Sequence, residues 1–184
     1  MAISSTIFRC KLNIADLDRG YYADHALVLA RHPSETNERM MIRVLAFALL
    51  ASDTLAFGKG ISTDDEPALW DKDLTGSITE WVEVGLPDER LVRRACGRAE
   101  HVSVLLYGGK TAEMWWQQNS DALSKQHKLT VHNVASPSSK ALAALADGSL
   151  DLQCTIQEGE VWIANADQRL QIEMQLLQSP RERY

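Results

Sequence analysis

Apolar and polar positions alternate at the start of the chain. In IFRCKLNI, Phe8, Cys10, Leu12 and Ile14 fall on one side and Arg9, Lys11 and Asn13 on the other, the period of a half-exposed strand. ADLDRG reads as a turn, and YYADHALVLA pairs back to complete an antiparallel hairpin. The period then lengthens. HPSETNERMMIRVLAFALLAS predicts the most apolar helix of the chain, running to about Ala51, with Ser34 as N-cap and Glu35 and Glu38 in an acidic first turn. TLAF is a short strand. GKGISTDDEPALWDKDLTGSI is loop-rich, acidic and punctuated by glycine.

The stretch WVEVGLPDERLVRRACGR begins as an interior strand with a carboxylate in it. Strand alternation puts Trp81, Glu83 and Gly85 on one face and Val82, Val84 and Leu86 on the other. Burying an ionised carboxylate is costly unless it is paired or bound to a cation. Pro87 closes the strand, and Asp88 and Glu89 suit the first turn of a helix that runs to about Arg98. Leu91, Val92, Ala95, Cys96 and Ala99 form its apolar stripe. Arg90, Arg94 and Arg98 recur every four residues on another face, with Arg93 at the margin.

HVSVLLYGG follows as a buried strand, TAEMWWQQNSDALSK as a helix and KLTVHNV as a strand. SPSSKALAALADG is a helix with a serine cap and a glycine stop. LDLQCTIQEGEVWIAN predicts a hairpin turned at Glu158-Gly159, and LQIEMQLL one last alternating strand. The middle, from about 34 to 146, is thus a mixed α/β layer. The antiparallel strands at the two ends are expected to meet each other.

A length of 184 residues with 45% apolar content predicts one globular domain over 1–184. The formal charge of −6 argues against a generally basic protein that coats nucleic acid, and leaves room for a local basic patch. Cys10, Cys96 and Cys154 are far apart and form no CxxC pair, so they read as reduced, buried thiols of a cytoplasmic protein. No apolar run nears the ~18 residues that would span a membrane, and no leader h-region is visible.

Asp64, Asp65, Glu66, Asp71 and Asp73 crowd the acidic loop, and Glu80 and Glu83 follow on the next strand. Carboxylates so gathered suit Mg2+ or Mn2+, which takes one or two of them and keeps room for a phosphate. Such an ion polarises a phosphodiester and acidifies its water, while an arginine grips phosphate oxygens. Plainer roles stand beside these. Acidic loops are usually solvated. Glu38 complements a helix dipole, Glu66 caps a short PALW helix, and Arg94 or Arg98 pairs with Glu83. Trp115 and Trp116 belong to a core or an interface, and the five histidines show no ligand spacing. His32, before Pro33, reads as a local hydrogen-bonding group. Lys59 lacks the GxxxxG of a phosphate loop.

ARHPSETNERMMIRVLAFAL, FGKGISTDDEPALWDKDLTGSITEWVEVGLPDERLVRRACGRA and VSVLLYGG together resemble the bacterial YaeQ family, over essentially the whole chain. The resemblance implies a variant of the restriction-endonuclease-like, PD-(D/E)xK fold. That fold is an αβββαβ core with a mixed four-stranded sheet, here extended by the antiparallel terminal strands. It implies a metal-binding acid at Glu66 or Asp73 and the E-x-K element at Glu83-Val84-Gly85, with Glu38 of the first helix joining the set. Gly85 departs from the pattern, since a lysine normally stands there. Arg90, Arg93 or Arg94 then supplies the cation, binding phosphate but serving poorly as a base because arginine stays charged. Two functions follow. One is a Mg2+- or Mn2+-dependent phosphodiesterase or nuclease acting on nucleic acid, with Glu66, Asp73, Glu83 and Arg94 as its working residues. The other is a non-catalytic binding or regulatory protein, with a nucleic acid or a protein as partner, that keeps the fold.

Overall fold

The computed structural model describes residues 4–59, 65–146 and 149–181. The first hairpin, β1 (Thr6–Asp16) and β2 (Tyr21–Arg31), pairs antiparallel through eleven positions. Cys10, Leu12 and Ile14 turn inward as predicted, whereas Phe8 is half-buried and Asp16 is buried as well. Helix α1 (Asn37–Leu50) starts later than the sequence suggests. Its N-cap is Thr36, whose hydroxyl accepts from the Arg39 amide at 3.1 Å. Ser34 is instead tied to the imidazole of His32 at 2.6 Å, so Glu35 falls before the helix.

Next come β3 (Ala56–Phe57), β4 (Leu69–Lys72) and β5 (Ile78–Val84). β4 replaces the expected PALW helix. α2 (Glu89–Arg98) is capped by Asp88. It is followed by β6 (Ala99–Leu106), α3 (Lys110–Leu123), β7 (Leu129–Val134) and α4 (Ser136–Leu145). The N-cap of α4 is Ala135, with no side-chain bond, rather than a serine; Gly148, the expected stop, lies outside the described residues. β8 (Leu150–Gln157) and β9 (Glu160–Ala164) form the predicted hairpin. Positive φ at both Glu158 (53°) and Gly159 (76°) matches the type I′ turn that suits strand twist.

The single last strand of the sequence reading is two strands, β10 (Arg169–Ile172) and β11 (Met174–Gln178), and they join different sheets. One sheet has the order β10-β9-β8-β1-β2 and the other β11-β7-β6-β5-β4-β3. The terminal strands therefore meet, as expected, but as a sheet of their own. Of the terminal strands only β11 joins the central sheet, antiparallel to β7; β7 and β11 together make that sheet six-stranded rather than four-stranded. The ends also join through a parallel pair, β1 with β8. Alternation fixes which face is buried and says nothing of strand direction.

The layers explain the burial. Met40 to Ala48 of α1 are buried all round, as a helix between two sheets must be. α1 and α4 pack together in that interlayer. α2 and α3 cover the outer face of the six-stranded sheet through Trp81, Val92, Cys96, Val102, Val104 and Leu123. At the junction of β10 and β11 the Glu173 carbonyl accepts from the Ala135 amide at 2.9 Å, and the Glu173 amide donates to Ser138 Oγ at 3.0 Å. The start of α4 thus holds the crossing between sheets. The three cysteines are free and buried; burial pushes the Cys10 and Cys154 thiols up to about 12 and Cys96 to about 11.

Candidate functional site

The parallel strands β5 and β6 set Glu83 beside Val104, on the face covered by α2 and α3. Glu83 Oε1 accepts the indole N–H of Trp81 at 2.9 Å. Trp81 meets Trp70 edge to face, centroids 6.0 Å apart, and carries the Arg98 guanidinium 5.0 Å from its ring. Glu83 is half-buried, and its sheet position is the one the strand–helix–strand order predicts.

Gly85 falls just past the end of β5, which closes at Val84. Its φ of +90° ends the strand alternation, and a Cβ there would sit 3.8 Å from the ring of Tyr107. Tyr107 packs toward the α1 interlayer. Burial raises its phenol, opposed by a hydrogen bond with Thr36 and the charge of Arg39, while Glu38 and Glu35 push it further up. Glu38 therefore lies at the Tyr107 end of the sheet.

The other expected residues are dispersed. Asp73 occupies the β4–β5 turn, where Oδ1 accepts the Thr75 hydroxyl at 2.6 Å and the amides of Thr75 and Ser77 at 2.8 and 3.0 Å. Those bonds, the hydroxyl first, hold its carboxyl below the ordinary range. From Ser77 to Glu83 is six residues of strand, roughly 20 Å at about 3.3 Å each, so Asp73 and Glu83 cannot share an ion. Glu66 accepts the Lys59 amide at 2.9 Å, with Lys59 Nζ at 3.8 Å. Asp64 lies outside the described residues. Arg93 pairs with Glu89. Arg90 and Arg94 are exposed, and neither side chain forms an ion pair among the described residues. Among those residues no three histidine, cysteine or carboxylate groups gather closely enough to hold a metal.

Two carboxylates do come together. The register of β4 and β5 sets Asp71 directly opposite Glu80, on the face turned to α1. Ser52 donates to Asp71 Oδ2 at 2.6 Å and Ser103 to Glu80 Oε1 at 2.7 Å. Burial raises the Glu80 carboxyl; the Ser103 bond and His101 oppose the shift, and Asp71 adds to it. Both residues stand in the sequence-level acidic cluster, but the loop assignment hides their pairing. The signal that finds it is DLTGSI as a hairpin turn, because a hairpin register aligns the residues flanking it. Two carboxylates steadied by hydroxyls are the kind of oxygen donors that Mg2+ takes alongside its waters.

A family model described as YaeQ protein matches residues 1–174. The Salmonella typhi protein called "Uncharacterized protein YaeQ" is 41% identical over 180 residues, 98% of this chain and 99% of its own. Its Escherichia coli K12 counterpart is 39% identical over the same shares. The crystal structure of YaeQ from Xanthomonas axonopodis pv. citri superposes with a TM-score of 0.93 at 44% identity, over 96% of this chain and all of that one. YaeQ from Pseudomonas syringae gives 0.89 at 35% identity, over 97% and 98%.

Proposed function

The chain belongs to the YaeQ family. On that premise we propose that Asp71 and Glu80 are the carboxylate couple of a Mg2+- or Mn2+-dependent phosphodiesterase acting on nucleic acid, built on a restriction-endonuclease-like core. The order α1, β3, β4, β5, α2, β6 agrees with the αβββαβ core of that fold. The single observation that carries the reading is the β4–β5 register, which faces one carboxylate with the other.

Two adjacent carboxylates repel, and a divalent cation relieves that repulsion. When bound, the ion polarises a phosphodiester and acidifies a water. The protein's own contribution is orientation: Ser52 and Ser103 each fix one oxygen of a carboxylate, as outer partners fix metal ligands. Glu83, Glu66 and Glu38 remain accessory acids at the other end of β5. Asp73 serves its turn.

A second reading, a non-catalytic binding protein, draws on one observation. The position expected to carry the motif lysine is Gly85, and the space where its Cβ would go faces Tyr107.

Thermal melting with and without millimolar Mn2+, on wild type, Asp71→Asn and Glu80→Gln, tests the cation. A folded-state-only ligand at a hundredfold excess over Kd stabilises by about 2.7 kcal/mol. The rise is expected in wild type and absent in both variants; an unchanged wild-type melting temperature rejects the site. Cleavage of a labelled oligonucleotide then separates the two functions, since a Mn2+-induced rise without turnover favours the binding protein.

A further inference from the structure

α2 carries a row of like charge that no carboxylate among the described residues pairs with. Arg90, Arg94 and Arg98 stand at i, i+4 and i+8, spaced about 6 Å along the helix, opposite the buried side formed by Val92, Ala95 and Cys96. All three are exposed. Like charges at this spacing destabilise a helix. Acidic partners are plentiful in a chain of net charge −6, yet Glu89 neutralises only Arg93. Arg90, Arg94 and Arg98 have no ion pair among the described residues.

The row continues onto the sheet. Arg98 lies over Trp81, Trp81 meets Trp70, and Lys72 Nζ sits 3.7 Å from the centre of the Trp70 ring. The tryptophan pair thus holds Arg98 and Lys72 on the same outer side of the six-stranded sheet. Three arginines thus follow one line along α2, and Lys72 lies on the same side of the sheet, opposite the Asp71–Glu80 pair.

We propose that this line is a docking surface for the phosphate backbone of a nucleic acid strand. Evenly stepped single charges complement a polymer whose charge also repeats evenly. Guanidinium forks match phosphate oxygens in geometry as well as sign. A phosphate backbone presents that charge at every nucleotide, whatever its sequence. The surface stands independently of the cation reading, because it lies on the other face and needs no metal.

The test is fluorescence anisotropy of a labelled single-stranded 20-mer in EDTA, over a salt series, on the whole chain. Wild type is expected to bind at low salt with a linear dependence of log K on log salt. Arg90→Ala/Arg94→Ala removes two contacts, so the slope should shrink by about 1.4, at roughly 0.7 per phosphate on a single strand. Arg9→Ala, on the exposed face of β1, should change nothing, and unchanged melting shows that the variants fold. No binding at low salt overturns the proposal, as does an unaltered slope in the double variant. Displacement of the strand by polyglutamate at equal charge concentration also overturns it and assigns the surface to an acidic protein partner. EDTA keeps these outcomes separate from failure of the Mn2+ melting experiment.

Discussion

Arg43 reaches back from the second turn of α1 to grip Glu35 with two bonds, Nε to Oε1 at 2.7 Å and Nη2 to Oε2 at 2.9 Å. The two side chains are 3% and 1% exposed. Nη2 also donates to the Ala30 carbonyl of β2 at 3.2 Å, and Arg39 adds a bond to Glu35 at 3.0 Å. The segment between β2 and α1 is therefore fastened by one buried carboxylate.

Removing that carboxylate should leave Arg43 buried and unpaired. Glu35→Ala is expected to cost about 3–5 kcal/mol of unfolding free energy, measured by urea denaturation. Combining it with Arg43→Met should restore most of the loss, because the stranded charge goes too. A single-variant cost well under 1 kcal/mol would show that the pair does not fasten the segment.

Glu80 gives a pH signature. Its folded-state carboxyl lies above the ordinary 4.5, chiefly through burial. The folded state then binds protons that the unfolded chain has released, so stability falls as pH rises from about 4.5 through the folded value, and is level beyond it. Glu80→Gln keeps an acceptor for Ser103 and removes the titration. Its stability relative to wild type should grow across that window, in denaturant titrations at stepped pH. A difference that stays flat with pH would contradict a raised Glu80.

Gly58 has no room for a side chain. A Cβ there would lie 2.0 Å from the Pro67 carbonyl oxygen, where the Gly58 amide bonds the Ala68 carbonyl at 3.0 Å. Backbone atoms cannot swing aside as side chains do. Gly58→Ala should cost about 1–3 kcal/mol or more, and Gly97→Ala, whose Cβ meets nothing within 4 Å, should not. Differential melting of the two variants compares them directly.

Much of this architecture is written in local pattern. The hairpin of Cys10, Leu12 and Ile14, the arginine helix and the Glu158-Gly159 turn each follow from period or turn chemistry within one segment. Three features are not local. β4 hides because Leu69 and Trp70 are flanked by charges and by only two further strand residues. The division at Glu173 hides because alternation continues across it. The parallel pairing of β1 with β8 depends on the layer of helices between the sheets, which no strand pattern reports. The candidate site divides the same way. Glu83 was legible as a strand carboxylate on the Trp81 face. The opposition of Asp71 to Glu80 required the register of a strand that the acidic loop concealed.

The parallel join also sets an order in time. Cys10 pairs with Leu150, so β1 leaves the ribosome 140 residues before its second neighbour. At about 5–20 residues per second that interval is on the order of 10 s. During it the hairpin can lean on α1, which emerges soon after, but one edge of β1 has nothing to bond. An open edge is a template for the wrong strand. A nascent chain stalled near residue 140 should therefore engage holding chaperones that release it once β8 arrives.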